Sequence, residues 1–319
     1  MFDFIRTRLR QGTRTSPFPR GGAQFPARFR GLPVLDPAHA GEGEAGPSAL
    51  VTTTADGRPA LDVGACLFSP EEAGTGPAGT ITFTRDYRMA SSTREGLVSP
   101  TGEVELAHAL DREVRRLFGR SLRLRSVVAG SCGGCEAELV ALGNVVFDLA
   151  RFGVQFVASP RHADGIVVTG TVNRNMRGAL EKVIEATPAP RLIIAVGACA
   201  IAGGPFRGSP EAGPGVEGLP VDLYVPGCPP HPLTLLDGLL RLLGRLPAER
   251  LRGVVPERTE LEGAERPELL QPAGAIEAAA ATDPAEAAGR AGSGERAADA
   301  RRTGRGGGAG AGPASGRER

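Results

Sequence analysis

No run in this 319-residue sequence approaches the ~18–20 apolar residues that a membrane-spanning helix needs. Its start, Met1-Phe2-Asp3-Phe4-Ile5-Arg6, has neither the apolar region nor the cleavage site of a signal peptide. An excess of charge is missing as well. The 37 Lys and Arg balance 36 Asp and Glu to a formal +1, so bulk electrostatics imply no nucleic acid partner. Cysteine is scarce: five residues do not make a disulfide framework in a chain this long, and grouped cysteines in a cytosolic protein more often mean metal or redox chemistry. These absences predict a soluble cytoplasmic protein that meets a membrane only through partners.

What is present is unevenly placed. The 46 Gly and 27 Pro concentrate in loops and in segments too poor in apolar residues to fold alone. The chain centres on Gly130-Ser131-Cys132-Gly133-Gly134-Cys135-Glu136-Ala137-Glu138-Leu139. An alternating run, Leu122 to Val128, reads as a strand before it, and helical spacing follows it. Two thiols three positions apart, on a glycine loop opening a helix, can face one metal centre. The helix start supplies unpaired N–H groups that favour thiolates and an anionic cluster. Alone, the spacing leaves a redox dithiol, zinc and iron–sulfur open.

From residue 121 strands and helices alternate. Strands are expected at Leu122–Val128, Val154–Ala158, Gly165–Thr169, Leu192–Val196 and Asp222–Val225, with helices over about 135–150, 174–186 and 231–245. That alternation predicts a parallel α/β sheet with helices on both faces, whose sites lie at the carboxyl ends of the strands. Cys132 and Cys135 follow the first strand, Cys199 follows Leu192–Val196, and Cys228 follows Asp222–Val225. All four are expected at one edge, in one site.

The remaining segments are plainer. Residues 1–20 pattern as a short amphipathic helix, 21–87 as a small glycine- and proline-rich domain with strand-like runs at Ala49–Thr52 and Thr80–Phe83, and 88–120 as a connecting helix. Residues 121–247 form the α/β domain. The region 260–319, mostly Ala, Gly, Glu and Arg, is expected to be a disordered tail, since it cannot bury enough apolar surface to offset ordering entropy. In the small domain, Cys66, Ser69, Glu72 and Gly76 then Pro77 keep the ferredoxin spacing C-x2-C-x2-C-x3-C-P with three cysteines replaced. Asp36 to Pro47 looks like a shortened companion without cysteine. With Phe29-Arg30-Gly31-Leu32-Pro33, Leu61-Asp62-Val63-Gly64 and Asp86-Tyr87, this segment resembles the two-cluster ferredoxin-like subunit of formate hydrogenlyase and complex I. It is expected to keep that α+β outline around an empty pocket, without clusters and with Cys66 a spectator.

A second resemblance covers about residues 117–246. The cysteine stretch, Ser159-Pro160-Arg161-His162-Ala163-Asp164, Thr169-Gly170, Asn175-Met176, Gly197-Ala198-Cys199-Ala200, Gly203-Gly204 and Pro226-Gly227-Cys228-Pro229-Pro230 appear in order. Together they resemble the small subunit of group 4 [NiFe] hydrogenases and formate hydrogenlyase, homologous to the 20 kDa subunit of complex I. The Cys-x2-Cys matches the hydrogenase-type branch, whereas complex I proper has adjacent cysteines. Thr171-Val172-Asn173 departs from the family's usual proline-containing turn.

The resemblance implies a flavodoxin-like doubly wound sheet carrying one [4Fe-4S] cluster on Cys132, Cys135, Cys199 and Cys228. It implies an acidic residue, Glu138, that can couple electron arrival to a proton, and a relay to or from a large subunit like that of hydrogenase or the 49 kDa subunit of complex I. Membrane subunits of the same complex would hold it peripherally on the cytoplasmic face of the inner membrane. Gly130 and Ser131 line the cluster loop, and Arg161 and His162 are expected near enough to donate to its sulfurs. Two alternatives stand beside this: a complex-I-type quinone reductase subunit, and a structural four-cysteine zinc scaffold, against which one cysteine pair plus two isolated cysteines argues.

Overall fold

The computed structural model describes residues 2–21, 23, 25–36, 50–53, 57, 59–76, 79–100, 102–247 and 249–251. The chain divides into two units, Met1–Gly263 and Ala264–Arg319, and the described residues all lie in the first. The expected tail and most of the shortened ferredoxin-like motif lie outside the described residues.

Helix α1 (Phe2–Gln11) opens the chain. Short strands follow: β1 (Pro33–Asp36), β2 (Val51–Thr53), β3 (Pro59–Asp62), β4 (Gly74–Gly76), β5 (Gly79–Phe83), β6 (Val98–Ser99) and β7 (Val104–Glu105). Next come α2 (Arg112–Phe118), β8 (Leu122–Val128), α3 (Gly134–Ala141), β9 (Val154–Phe156) and β10 (Gly165–Thr169). The order ends with α4 (Arg174–Ala186), β11 (Leu192–Val196), α5 (Ala198–Ala202), β12 (Leu223–Val225), α6 (Pro232–Leu242) and β13 (Arg250–Leu251).

The central sheet has the order β12-β11-β10-β8-β9, and every pairing in it is parallel. Counted from β8, that is the 2-1-3-4-5 order of flavodoxin-like folds, with its switch point between β8 and β10. Strands β10 (GIVVT) and β11 (LIIAV) are buried at every position. Such unbroken apolar runs mark strands covered on both faces. Alternate residues serve two cores. Leu124, Val167, Ile194 and Leu223 pack with Leu139 of α3 and the leucines of α6, while Val127, Ile166, Val168 and Ile193 pack with Leu180 of α4 and Ile201 of α5. The α/β expectation and four strand positions hold closely.

Helix α6 is buried at all eleven residues, including the Asp237–Arg241 pair at 2.7 Å. The N-terminal segment covers its outer side, since Phe18 and Ala90 join the same core and a Cβ on Gly238 would stand 2.5 Å from Ala90 Cβ.

The expected connecting helix over 88–120 is not formed. The α-helix occupies only Arg112–Phe118, with one 3-10 turn at Glu95–Leu97. Upstream the chain is extended: Ser91 exchanges backbone hydrogen bonds with Tyr224 at the β12 edge, and Ala107 donates to Ala90. Val104 and Leu106 are buried around exposed Glu105, which is strand spacing, and Gly102 at φ +83° with Pro100 before it interrupts any helix. The helix expected over 135–150 likewise stops at Ala141, where Gly143 and Asn144 turn the chain.

In the N-terminal region β1 pairs antiparallel with β5, which also pairs with β4. Strand β2 pairs with β3, and β3 with β6. A small third core of Leu35, Leu50, Leu61, Cys66 and Ile81 lies there. Arg94 clasps buried Asp62 through two bonds of 2.8 and 2.5 Å.

Candidate metal centre

Four loops leave the carboxyl ends of β8, β10, β11 and β12, and three of them carry the cysteines. The loops after β8 and β10 meet backbone to backbone at the switch point. A Cβ on Gly170 would stand 2.6 Å from the Gly130 carbonyl, and both glycines have positive φ, +84° and +92°. Only glycine admits that approach in that conformation. Beyond β11, Gly197 sits at φ +90°, and a Cβ there would meet Cys135 Sγ at 2.5 Å. A Cβ on Gly204 would meet Cys199 Sγ at 2.6 Å. The Ala198 N–H donates to Gly227 at 2.9 Å, tying the Cys199 loop to the Cys228 loop.

Cys132 and Cys228 are exposed, Cys199 is half-buried and Cys135 buried, and all are free thiols. Burial is the main reason that Cys135 is pushed up to about 12, with the Glu136 charge next and then Cys199, Cys228 and Cys132. Cys199 is pushed up to about 11 by burial, then by Cys228 and Cys132. Burial, followed by Cys132 and Glu72, raises Cys228. The four thiols therefore share one electrostatic environment. The helix start was expected to favour thiolates; in the metal-free protein burial and mutual repulsion outweigh it for these three. A metal would have to supply the missing positive charge, releasing protons as it binds.

Among the described residues, no group of three or more His, Cys, Asp or Glu could hold a metal ion at one point. A cubane asks for something different, one thiolate on each of four irons. Glycine at 197 and 204 lets the Cys135 and Cys199 sulfurs lie against the backbone, where any Cβ would collide with them. The donor set and this cradle fit an iron–sulfur cluster.

The other predicted residues divide. Gly130 and Ser131 stand in the cluster loop. Glu138 is half-buried, its carboxyl raised by burial, and it lines a cleft of about 260 Å³ with Arg28, Arg30, Cys228 and His231. Arg161 and His162 sit in a short turn between β9 and β10. Strand β9 is short and ends opposite Leu124 of β8, so the chain turns before reaching the carboxyl edge. Asp164, two residues after His162, already bonds Arg123 near the start of β8. Both side chains are exposed, and neither donates to a cysteine loop among the described residues.

Three residues were missed by the sequence reading. Glu136 Oε1 accepts from the Ser131 hydroxyl at 2.8 Å and from the Thr169 hydroxyl, strapping the β8 loop, α3 and the end of β10 together. Its Oε2 is buried without a partner. A carboxylate directly after Cys135 was the available signal. Asn173, in the turn that departs from the family, caps α4 by accepting from Met176 N–H at 3.0 Å, and its neighbour Val172 has φ +52°. His231 is surrounded by the rings of Phe25, Phe29 and Phe147, and burial pushes it down to about 4.

The chain is thus a doubly wound α/β domain with four free thiols in the loops at its carboxyl edge. Residues 132–242 match the family described as NADH ubiquinone oxidoreductase, 20 Kd subunit. A probable membrane-bound hydrogenase subunit of Pyrococcus furiosus is 42% identical over 142 residues, covering 44% of this chain and 84% of that protein. An NADH-quinone oxidoreductase subunit of Citrifermentans bemidjiense is 40% identical over 156 residues, 49% of this chain and 89% of that one. A chain of the membrane-bound sulfane sulfur reductase, an archaeal respiratory membrane complex, aligns at 31% identity over 42% of this chain and 75% of its own, with a TM-score of 0.37. The chain belongs to the 20 kDa subunit family of NADH:ubiquinone oxidoreductase and membrane-bound hydrogenase.

Proposed function

We propose that this chain is an electron-transfer iron–sulfur subunit of a membrane-associated, hydrogenase-like or complex-I-like oxidoreductase, holding one [4Fe-4S] cluster on Cys132, Cys135, Cys199 and Cys228. The observation that carries this is the grouping of the four thiols at the switch-point edge, with glycines admitting two of the sulfurs against the backbone. The cluster, when bound, takes up and returns single electrons. The chain's residues hold and shield it: α3 and α5 start at the thiols, Glu136 fixes the loop, and the β11 and β12 loops bond each other. No substrate-activating group stands beside the thiols, so the reaction belongs to the assembly.

Family membership and the exposed residues at the site support a large-subunit partner. Cys132 is exposed beside α3, and Val140 (78% exposed) and Phe206 (54%) add apolar surface. Such apolar surface marks interfaces. No helix among the described residues is long and apolar enough to cross a membrane, so attachment falls to membrane partners on the cytoplasmic side. The nested pairing of β1 with β5 and β2 with β3 supports the reading of residues 21–87 as a ferredoxin-like domain that has lost its clusters. Anaerobic purification tests the proposal: about four irons per chain and a broad visible charge-transfer band are expected. Stoichiometric zinc without iron after reconstitution would overturn it in favour of the scaffold reading.

A further inference from the structure

Helix α1 has no part in the electron-transfer reading, and among the described residues none of it joins any of the three cores. Every residue from Asp3 to Arg14 is exposed, with Phe4 at 76%, Ile5 at 50% and Leu9 at 78%. A helix of ten residues with no packed side is shorter than the ~12–15 that hold helix alone in water. Its helical form therefore calls for a surface that covers Ile5 and Leu9, which lie one turn apart on one side. The charges say what that surface is. Residues 1–14 carry Arg6, Arg8, Arg10 and Arg14 against Asp3 alone. At about 100° per residue, Arg6 and Arg10 flank the Ile5–Leu9 stripe on one side and Arg8 flanks it on the other, while Thr7 and Gln11 fall on the far side. A narrow apolar stripe between cations is the pattern of a helix lying in a bilayer interface, with apolar residues in the acyl boundary and long cationic side chains reaching up to the phosphates. A protein groove would need acids on both rims of an apolar floor. An anionic bilayer offers that combination everywhere along its surface.

The helix is tethered beside a second apolar turn. Ser16 N–H donates to the Val146 carbonyl at 2.8 Å, and the Arg151 guanidinium holds the Ser16 and Phe18 carbonyls at 2.8 and 3.0 Å. The stretch from Gln11 to Ser16 spans at most about 18 Å. Helix α1 therefore stays within reach of Val145 (64% exposed) and Val146 (40%). We infer that α1 is a membrane-surface anchor, lying along an anionic lipid bilayer with Ile5 and Leu9 inserted and its arginines on lipid phosphates, and holding the Val145–Val146 turn near the same surface. This contact is the chain's own, beside any attachment through membrane subunits, and it needs no cluster.

The test floats the full-length chain with phosphatidylcholine vesicles and with vesicles of about one-third phosphatidylglycerol. Flotation with the anionic vesicles is expected at about tenfold or more above the neutral ones, and it should fall as salt is raised. The triple variant Arg6→Gln, Arg8→Gln, Arg10→Gln and the single variant Leu9→Asp should each lose about tenfold or more, whereas Arg177→Gln on the exposed side of α4 should lose nothing. All should keep the wild-type melting temperature, since the helix joins no core. The sequence has no tryptophan, so Leu9→Trp and Thr7→Trp each report one side of the helix. With anionic vesicles the emission of Leu9→Trp should shift to the blue and that of Thr7→Trp should not. A wild-type chain that does not float, or that floats no better than the α1 variants, overturns the anchor and leaves the helix to a protein partner. Loss with the arginine variant but not with Leu9→Asp overturns insertion, and a lowered melting temperature for Leu9→Asp overturns the anchor by showing the helix packed within the fold. Iron is assayed on the same samples. A chain that floats but takes up no iron on reconstitution keeps the anchor and refutes the electron-transfer reading, and one that holds iron without floating does the reverse.

Discussion

The carboxyl edge of the parallel sheet and the Cys66 loop are both turns of glycine-rich chain built around sulfur, and they have opposite outcomes. At the sheet edge four thiols stand together, two of them against glycine backbone, and burial pushes Cys135 up to about 12 and Cys199 to about 11. Burial keeps those two thiols in their neutral form. At the Cys66 loop a single thiol is fully buried, and Glu72 has taken up the inward N–H groups. That loop is satisfied as it stands. The difference teaches that a turn of this kind is satisfied without any bound group when one of its own carboxylates takes up the inward N–H donors.

The sharpest break in this comparison is removal of one thiol from each region. Cys228→Ser should lower iron from about four per chain to near none, whereas Cys66→Ser should leave it unchanged; iron and sulfide assays check both. Next in size are the glycines. Gly197→Ala puts a Cβ 2.5 Å from Cys135 Sγ in a left-handed position, and should cost about 1–3 kcal/mol in denaturant melts and reduce iron content. Gly133→Ala, also at positive φ but with open space around it, should cost only about 1 kcal/mol and spare the cluster.

His231 gives a pH test of the aromatic wall behind Cys228. Its folded pKa, pushed down to about 4 by burial, lies below the ordinary 6.5, so between those values the unfolded chain binds the extra proton. Stability is full above about pH 6.5 and falls as pH drops toward 4, because a charged ring would also lose the bond accepted by Nδ1 from Leu233 N–H at 3.1 Å. His231→Phe should flatten that part of the melting-temperature profile. The smallest structural effect is expected from Glu138→Gln. It should leave iron content and assembly unchanged and slow turnover of the assembled complex by about tenfold or more, within the range of lost proton transfer.

Much of the central domain was legible because its signals are local. The runs Gly165–Thr169 and Leu192–Val196 are apolar throughout, and the cysteines fall just past strand ends, where parallel sheets place their sites. The N-terminal half was less legible. Val104 and Leu106 were assigned to a helix although their spacing is that of a strand, and Ser91 pairs with Tyr224, a partner more than a hundred residues away that no local pattern announces. The loop of Arg161 and His162 is also placed by pairing rather than by local pattern. Their loop follows a strand, but only the register shows that β9 stops opposite Leu124 and never reaches the edge.

By itself the sequence determined the α/β class, the strand positions of the central sheet and the placement of four cysteines just past strand ends, since hydrophobic period and glycine placement are properties of neighbouring residues. Tertiary structure alone decided what stands around those thiols. Thr169 meets Glu136 from another strand, Gly170 presses on Gly130 at the switch point, and the Ala198 N–H reaches Gly227 across two strand-end loops. Each of these is a contact between segments far apart in sequence, and its energy depends on distance and burial, which no residue pattern carries.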